Sequence, residues 1–324
     1  MGILILGVIL IPFLTSLFLK VIGKFLNELL TNFITLNAAM LSVATSFFLF
    51  GYIFFDKFKP LKFELFQWFP NPEINFEFYL DGLSGVMMVL ICGLSLVIQL
   101  FSTSYMSKDE NYTKYFEYFN FFVFSMLLLV LSGNFLVMFF GWELVGLSSY
   151  LLISFWSEKK SAARAGNKAF ILNRIGDFGF LIGLMMILNE FQTFNFLRIF
   201  ESSLETIPEN LDVIIVFLLL GAFGKSAQFP LFSWLPDAME GPTPASALIH
   251  AATMVTAGVF MLVRISPILQ FSELSSLIII SMGLLTALIA AFSAINQKDI
   301  KKVLAYSTIS PVSYTHLTLP TKSG

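Results

Sequence analysis

Apolar runs long enough to cross a membrane recur along the whole chain, with short polar segments between them. A helix rises 1.5 Å per residue, so it needs about 20 mainly apolar residues to cross the hydrocarbon core of a bilayer. The pattern predicts an all-α polytopic membrane protein of nine to ten transmembrane helices. The predicted spans are about 2–19, 33–55, 82–101, 118–132, 135–156, 168–190, 211–229, 243–265 and 274–295, with a tenth beginning near Lys301.

Residues 118–156 are about twice as long as one span requires, and the polar triplet at 132–134 is the turn signal inside them. We therefore predict two antiparallel helices joined at this triplet. Two further segments, 61–79 and 191–208, are rich in aromatic residues and mixed in polarity. They are predicted to lie along the outer membrane interface.

The loops divide by charge. An excess of Lys and Arg marks loops 20–32, 157–168 and 296–302, which fall on one side if nine helices alternate in direction. Most of the loop acids are in 56–81 and 191–210, on the other side. Because Lys and Arg favour the cytoplasmic or matrix side, the basic loops are predicted to face inward. Loop 102–117 is a weak exception, since its only basic residues are Lys108 and Lys114.

Composition excludes a soluble protein with a single anchor. The chain is 57% hydrophobic and 12% charged, with a mean hydropathy of +0.83, whereas soluble domains are about 45–50% apolar and about 25% charged. The net charge is −2 and no basic run indicates a nucleic-acid partner. The one cysteine, Cys92, excludes a disulfide framework and cannot hold an iron–sulfur cluster.

Few ionisable residues lie inside the predicted spans, and these residues are the candidates for function. Each charged side chain at a helix centre costs about 2.5–3.5 kcal/mol on insertion scales. Such residues normally face the bundle interior and pair with one another. They are Glu143, Arg174, Asp177, Lys225 and His250.

Glu143 lies near the middle of "FLVMFFGWELVGLSSYLLISFW". Gly141 and Gly146 flank it, and small residues allow a neighbouring helix to approach closely. Two interpretations stay open. The carboxylate either forms a structural ion pair, or it carries a proton and sets the charge of a neighbouring group.

Lys225 lies in "LLLGAFGKSAQFPLFSWLPDAMEGPTP", where Gly221, Gly224 and Pro230 weaken the helix. We predict a broken seventh helix, because breaks at membrane depth mark transport sites. Burial disfavours the charged form of Lys, and a carboxylate favours it. A Lys with a carboxylate partner that moves therefore suits proton loading and release. The alternative is that Lys225 reaches back to the membrane interface.

Ser246, His250 and Thr253 follow one another at helical spacing and form a polar stripe on an apolar helix. This stripe suits passage of water or protons, although a lone His is also compatible with a core position. No second His or Cys lies nearby, so no metal site is expected. The sequence also has no phosphate-binding loop, nucleophile–base pair or dinucleotide fingerprint.

Arg174 and Asp177 are three residues apart and share one helix face. They either form an intrahelical pair that lowers the cost of both charges, or they transmit a signal to a neighbouring subunit.

Three long motifs carry a resemblance to a known family. "FLVMFFGWELVGLSSYLLISFW", "GAFGKSAQFPLFSWLPDAMEGPTPASALIHAATMVTAG" and "DIKKVLAYST" resemble the antiporter-like large membrane subunits of respiratory NADH:quinone oxidoreductase (complex I), chain L of bacteria and chain 5 of mitochondria. The resemblance covers residues 1–310. Subunits of multisubunit sodium/proton antiporters share the fold and are the alternative, but "WLPDAMEGPTPASALIHAATMVTAG" is more similar to the complex I chains.

The resemblance implies an antiporter-like fold and a proton-translocating role in the membrane arm. Glu143 and Lys225 match the Glu–Lys pair of the family's first half-channel. His250 matches the His on the helix that leads to the central Lys, and Arg174 and Asp177 match positions that couple neighbouring modules.

The resemblance also implies an enzyme subunit with no redox catalysis of its own. NADH, FMN, iron–sulfur clusters and quinone would then belong to partner subunits, and this chain would bind no cofactor or metal. Its expected partners are other membrane-arm subunits of complex I and the lipid bilayer. The expected location is the bacterial plasma membrane, with the mitochondrial inner membrane as the alternative.

We expect three regions. Residues 1–117 are the N-terminal transmembrane region, and residues 118–310 are the antiporter-like module with the first inverted repeat only, since family chains are about twice as long. The polar tail at 311–324, "PVSYTHLTLPTKSG", is not expected to continue a membrane helix. One back-translation of it contains a transposon-end sequence used in sequencing adapters, so we hypothesise that the tail is non-native and adapter-derived.

Overall fold

The computed structural model describes residues 1–70, 73–251 and 253–322. Helices dominate this part of the chain, and one antiparallel pair of strands accompanies them. In chain order the elements are α1 (Gly2–Ile22), α2 (Glu28–Phe55), β1 (Leu61–Pro70), β2 (Glu73–Leu80), α3 (Gly82–Tyr105), α4 (Tyr112–Val130), α5 (Phe135–Ile153), α6 (Lys160–Phe191), α7 (Phe196–Glu205), α8 (Leu211–Lys225), α9 (Trp234–Asp237), α10 (Thr243–Ala251), α11 (Met254–Arg264), α12 (Ser266–Leu269), α13 (Glu273–Ile295) and α14 (Ile300–Lys322).

The prediction of a helical polytopic membrane protein is confirmed. Seven helical segments of the described chain are long and apolar enough to cross a membrane: Gly2–Phe25, Glu28–Phe55, Gly82–Tyr105, Phe135–Ile153, Lys160–Phe191, Thr243–Arg264 and Glu273–Ile295. The predicted fourth and seventh spans correspond to α4 and α8. With 15 residues, α8 is about 22 Å long, which is shorter than the hydrocarbon core of about 30 Å.

The predicted turn at 132–134 separates α4 from α5. Asn134 caps α5, because its side-chain oxygen accepts a hydrogen bond from the Val137 amide at 2.8 Å. The amide of Gly133 donates to the Glu77 carbonyl at 2.9 Å. The two helices therefore run antiparallel, as predicted, and the turn between them is fastened to β2.

Segment 61–79, predicted to lie along the outer membrane interface, forms most of the antiparallel hairpin of β1 and β2, a structure that the prediction did not specify. Apolar Leu61 and Phe63 alternate with charged Lys62 and Glu64. This period of two is typical of a strand, whereas the prediction rested on aromatic content and mixed polarity. Segment 191–208 contains the short helix α7.

Two predicted regions have helix boundaries that the sequence prediction did not specify. The predicted span 243–265 consists of two helices, α10 and α11, and the Thr253 hydroxyl between them donates to the Leu248 carbonyl. Residues 311–324 were expected not to continue a membrane helix; α14 extends to Lys322, and it is not among the membrane-length apolar helices of the described chain. Backbone hydrogen bonding in a helix does not require apolar side chains. The adapter origin of these residues stays a prediction that the coding DNA tests.

The two ends of the bundle carry different polar contacts. We call the end with the predicted inward loops the basic end; there the Trp156 indole donates to Asp109 at 2.8 Å and Lys168 pairs with Asp237 at 2.7 Å. The opposite end, which carries β1 and β2, is called the hairpin end. There buried Arg264, at the end of α11, pairs with Asp81, the N-cap of α3.

A buried carboxylate, Glu77, attaches the hairpin to the bundle. It accepts hydrogen bonds from the side-chain amides of Asn195 at 2.6 Å and Asn134 at 3.3 Å. Burial raises the pKa of Glu77 above its ordinary value, although both amides favour the charged form. The folded chain therefore holds this proton more tightly than the unfolded chain does. Its contribution to stability is present below the unfolded pKa and is lost as the pH rises through the folded pKa.

The substitution Glu77→Gln removes this titration and keeps a side-chain oxygen as acceptor. We expect the hairpin of the variant to open less readily than that of the wild type at about pH 8. This difference in opening is expected to vanish at about pH 4. Hydrogen exchange at the amides of Tyr79 and Gly133, corrected for intrinsic rate, measures this opening. Glu201→Gln, at an exposed position nearby, is the control. Equal exchange in wild type and Glu77→Gln at both pH values would contradict the assignment.

Candidate functional site

Four charged side chains of the bundle form two ion pairs across three helices. The Lys225 amine at the end of α8 lies 3.3 Å from the Asp177 carboxylate of α6, and these side chains are 0% and 4% exposed. On the same helix α6, Arg174 donates to Glu143 of α5. Helix α6 therefore connects the charges of its two neighbours.

The structure corrects the predicted pairing. The family resemblance implied a pair between Glu143 and Lys225, and an intrahelical pair between Arg174 and Asp177 was one of the two interpretations that the sequence left open. Glu143 and Lys225 are close enough for their charges to interact, but each is in hydrogen-bond contact with a residue of α6 instead. Arg174 and Asp177 share a helix face, and both extend from it to an opposite charge on another helix.

Several groups stabilise the buried Lys225–Asp177 pair. The Trp142 indole N–H donates to the Asp177 carboxylate at 2.7 Å, and the Trp142 ring lies 5.7 Å from the Lys225 amine. Lys225 is also the last residue of α8, where the helix dipole is negative and favours a cation. These interactions offset the cost of removing two charges from water, which Coulomb attraction alone does not guarantee to balance.

Glycine contacts between α6 and α8 bring the pair together. A Cβ atom added to Gly176 would lie 3.1 Å from the Cα atom of Gly224, so the two backbones are in direct contact. Gly221 and Gly224, which the sequence analysis interpreted as weakening the helix, lie inside α8 and face α6. This close approach places Asp177 against Lys225.

The predicted break in the seventh span follows directly after Lys225. The Gly224 carbonyl accepts a hydrogen bond from the Trp234 indole at 3.0 Å, and the Phe223 carbonyl accepts one from the Gln228 amide at 2.9 Å. Protein groups thus satisfy the backbone at the break. An irregular backbone at membrane depth requires this, because lipid offers no hydrogen bonds.

Two residues make contacts at the site that the sequence did not predict. A Cβ atom on Gly146 would lie 2.9 Å from the Lys225 amine and 4.0 Å from Asp177, so α5 needs a glycine there to make room for the pair. Trp142 is the second, as the hydrogen-bond donor to Asp177. An indole N–H inside an apolar span requires a partner, and that requirement is the signal that was available.

His250 lies apart from the ion pairs. It is buried near the end of α10, and within the described residues neither ring nitrogen has a hydrogen-bond partner. The Ser246 hydroxyl, one turn earlier, is also buried and has no hydrogen-bond partner within the described residues. Buried polar atoms of this kind are commonly satisfied by ordered water.

Arg174 lies on a lateral surface of the bundle. Its side chain is 46% exposed and its guanidinium stacks 4.8 Å from the Phe170 ring. Apolar Ile171, Ile175 and Phe178 beside it are exposed. Helix α6 therefore exposes the charged side chain of Arg174 among apolar residues on the side of the bundle.

The chain matches the models of two protein families. Residues 132–323 match the family described as NADH:quinone oxidoreductase/Mrp antiporter, TM. Residues 68–116 match the N-terminus of chain 5 of NADH-ubiquinone oxidoreductase (complex I). The chain belongs to the NADH:quinone oxidoreductase/Mrp antiporter family of transmembrane proteins.

Similar sequences occur in mitochondria and bacteria. NADH-ubiquinone oxidoreductase chain 5 of Acanthamoeba castellanii is 44% identical over 319 residues, which cover 94% of this chain and 47% of that protein. NADH-quinone oxidoreductase subunit L of Buchnera aphidicola is 42% identical over 322 residues, which cover 98% of this chain and 52% of that protein. The chain thus spans about half the length of the curated relatives it matches.

Solved structures confirm the antiporter-like fold. A chain of the Mrp complex from a Dietzia species superposes with a TM-score of 0.86 at 27% identity, covering 98% of this chain and 34% of that chain. The membrane-bound sulfane sulfur reductase, an archaeal respiratory membrane complex, gives a TM-score of 0.85 at 24% identity, covering 99% of this chain and 65% of that chain. At that identity the second match shows the fold alone.

The substitution Asp177→Asn tests whether the buried pair stabilises the fold. It leaves Lys225 buried without its anion, so we expect the free energy of unfolding in mixed micelles to fall by about 3–5 kcal/mol. The double variant Asp177→Asn/Lys225→Met removes both charges and is expected to recover most of this loss.

The matched control is Asp237→Asn at the exposed pair with Lys168, whose side chains are 39% and 42% exposed. That change is expected to cost less than about 1 kcal/mol. If the double variant is as unstable as the sum of its two single variants, the buried residues are not energetically coupled.

Proposed function

We propose that this chain forms part of the proton-translocating membrane subunit of an NADH:quinone oxidoreductase. The observation that carries the proposal is a buried amine, Lys225, held by one carboxylate at a helix break inside a membrane bundle. Such an amine gains or loses its proton when its partner moves, because the surrounding dielectric is low. The sequence relatives are NADH oxidoreductase chains, which supports this class of pump.

Helix α6 is the proposed coupling element, because it carries one member of each ion pair. While Arg174 neutralises Glu143, that carboxylate contributes little attraction for a proton at Lys225. When Arg174 moves away, the bare charge of Glu143 favours protonation of Lys225. Movement of Asp177 away from Lys225 has the opposite effect and releases the proton. Loss of the Asp177 contact while Arg174 stays on Glu143 therefore favours release of the proton, and separation of Arg174 from Glu143 while Asp177 stays in place favours its return.

In this proposal the released proton passes toward His250. The unsatisfied ring nitrogens of His250 and the Ser246 hydroxyl support a water-filled path, since neutral imidazole both accepts and donates protons. Glu143, Lys225 and His250 thus form the proton path, and Arg174 and Asp177 couple it to the rest of the complex.

A neighbouring membrane subunit is the proposed partner at the Arg174 surface. A guanidinium facing lipid is costly, and charged residues in membrane helices normally face protein or water. The exposed apolar residues around Arg174 supply the rest of a helix-packing surface. A subunit that moves against this surface would displace Arg174 from Glu143.

The redox chemistry takes place in other subunits of the proposed complex. NADH, FMN, iron–sulfur clusters and quinone bind in partner subunits, and this chain carries residues of the proton path in the bacterial plasma membrane. Residues 118–310 form its antiporter-like module.

A subunit of a sodium/proton antiporter is the second candidate function. The observation in its favour is the fold of the Mrp complex, which superposes over 98% of this chain. Identity to that chain is 27%, against 44% and 42% for the oxidoreductase chains, and the oxidoreductase is therefore preferred.

The substitution Lys225→Ala in the complete complex tests the assignment. We expect NADH-driven proton uptake into reconstituted vesicles to fall at least about tenfold, since a positioned proton-transfer group contributes about 10²–10⁴-fold. A pH-sensitive dye inside the vesicles measures the uptake. Lys168→Ala, at an exposed pair, is expected to pump normally.

Undiminished pumping by Lys225→Ala would contradict the assigned role of Lys225. Sodium-dependent proton exchange without any response to NADH would instead support the antiporter.

A further inference from the structure

A groove of about 850 Å³ opens at the basic end, where α1 ends and α2 and α4 begin. Leu19, Gly23 and Tyr112 in its lining are buried. Its lining also includes three amines and three carboxylates at exposed or half-buried positions: Lys20, Lys24, Lys114, Glu28, Glu110 and Glu117. The groove thus has side chains of both charge signs around a base of buried residues.

None of these six charges takes part in an ion pair within 4 Å in the described part of the chain. Asp109, also in the lining, differs because the Trp156 indole and the Asn111 amide both donate to it. Glu117 interacts electrostatically with Lys20 and Lys114, and the Lys114 amine lies 5.7 Å from the Tyr118 ring. Because the groove presents charges of both signs without a direct ion pair among the described residues, a ligand with both a positive and a negative group satisfies it better than a simple anion.

An apolar stripe leads away from the groove. Phe25, Leu29 and Phe33 are 86%, 78% and 68% exposed, and their spacing of four residues puts Leu29 and Phe33 on one face of α2. Exposed apolar side chains of this size are expected against acyl chains. The groove consequently lies at the level of the lipid headgroups, with the stripe extending into the hydrocarbon region.

We propose that the groove binds phosphatidylethanolamine. Its phosphate meets the amines of Lys20, Lys24 and Lys114, and its primary ammonium donates hydrogen bonds to Glu28 and Glu110. Charge-assisted hydrogen bonds of both kinds are strong. The acyl chains lie along the apolar stripe.

Other phospholipids fit this groove less well. A lipid with only negative charge is repelled by the carboxylates, although basic residues at this side of a membrane attract anionic headgroups in general. The trimethylammonium group of phosphatidylcholine has no N–H to donate. The carboxylates therefore set the preference between headgroups, and the amines set the affinity for phosphate.

Native mass spectrometry of the complete complex in detergent tests the proposal directly. Phosphatidylethanolamine, phosphatidylcholine and phosphatidylglycerol with identical acyl chains are added in turn, and the bound fraction is measured. The wild type is expected to retain phosphatidylethanolamine about tenfold better than phosphatidylcholine, which corresponds to about 1.4 kcal/mol. The variant Lys24→Gln/Lys114→Gln should weaken retention of all three lipids.

The variant Glu28→Gln/Glu110→Gln should abolish the preference for phosphatidylethanolamine and improve retention of phosphatidylglycerol. Lys298→Gln/Lys301→Gln, outside the groove in another basic loop, is the matched control and should behave as the wild type. Equal retention of ethanolamine and choline lipids by the wild type would overturn the proposal. So would tight binding of phosphatidylglycerol that Glu28→Gln/Glu110→Gln leaves unchanged. Lipid retention is measured without proton transport, so either result is independent of the proposed pump.

Discussion

The ion pair between Lys225 and Asp177 is the interaction on which the rest of the site depends. Two charges buried in a membrane bundle are tolerated only with close contact and additional hydrogen bonds. Glycines on α6 and α8 allow that contact, and Trp142 supplies a hydrogen bond to the carboxylate. The end of α8 favours the ammonium through its dipole. The helix break and the glycine packing thus both stabilise a charge at this depth.

Helix α6 joins this interior pair to the lateral surface of the bundle. Asp177 and Arg174 are about one turn apart on α6, so a rotation or tilt of this helix changes the two contacts to different extents. Glu143, the partner of Arg174, also interacts electrostatically with Asp177 and Lys225 of the buried pair. An event at an exposed surface can therefore reach a fully buried amine through a single rigid helix, without a long chain of side-chain contacts.

Much of this arrangement was predictable from the sequence. Long apolar runs predicted the membrane helices, and the insertion cost of charge selected the residues that form the two pairs. The pairing itself was not predictable, because periodicity places Arg174 and Asp177 on one face but does not say which helices that face meets. The hairpin was not predicted, because the interpretation of segment 61–79 used its aromatic content and mixed polarity and not the alternation of apolar and charged residues along it. The role of Gly146 depends on a contact between distant segments, which no local pattern contains.

The most direct measurement is proton transport by the Gly146→Ala variant of the complete complex. The added methyl group would lie 2.9 Å from the Lys225 amine, so the amine or the helix must shift and the contact with Asp177 is disturbed while all charges remain. Gly93→Ala is the control, since a Cβ atom there meets nothing within 4 Å. Proton transport is predicted to fall well below that of the control, with the complex still assembled. Transport at the wild-type rate in an assembled Gly146→Ala complex would contradict the role of the Lys225–Asp177 pair.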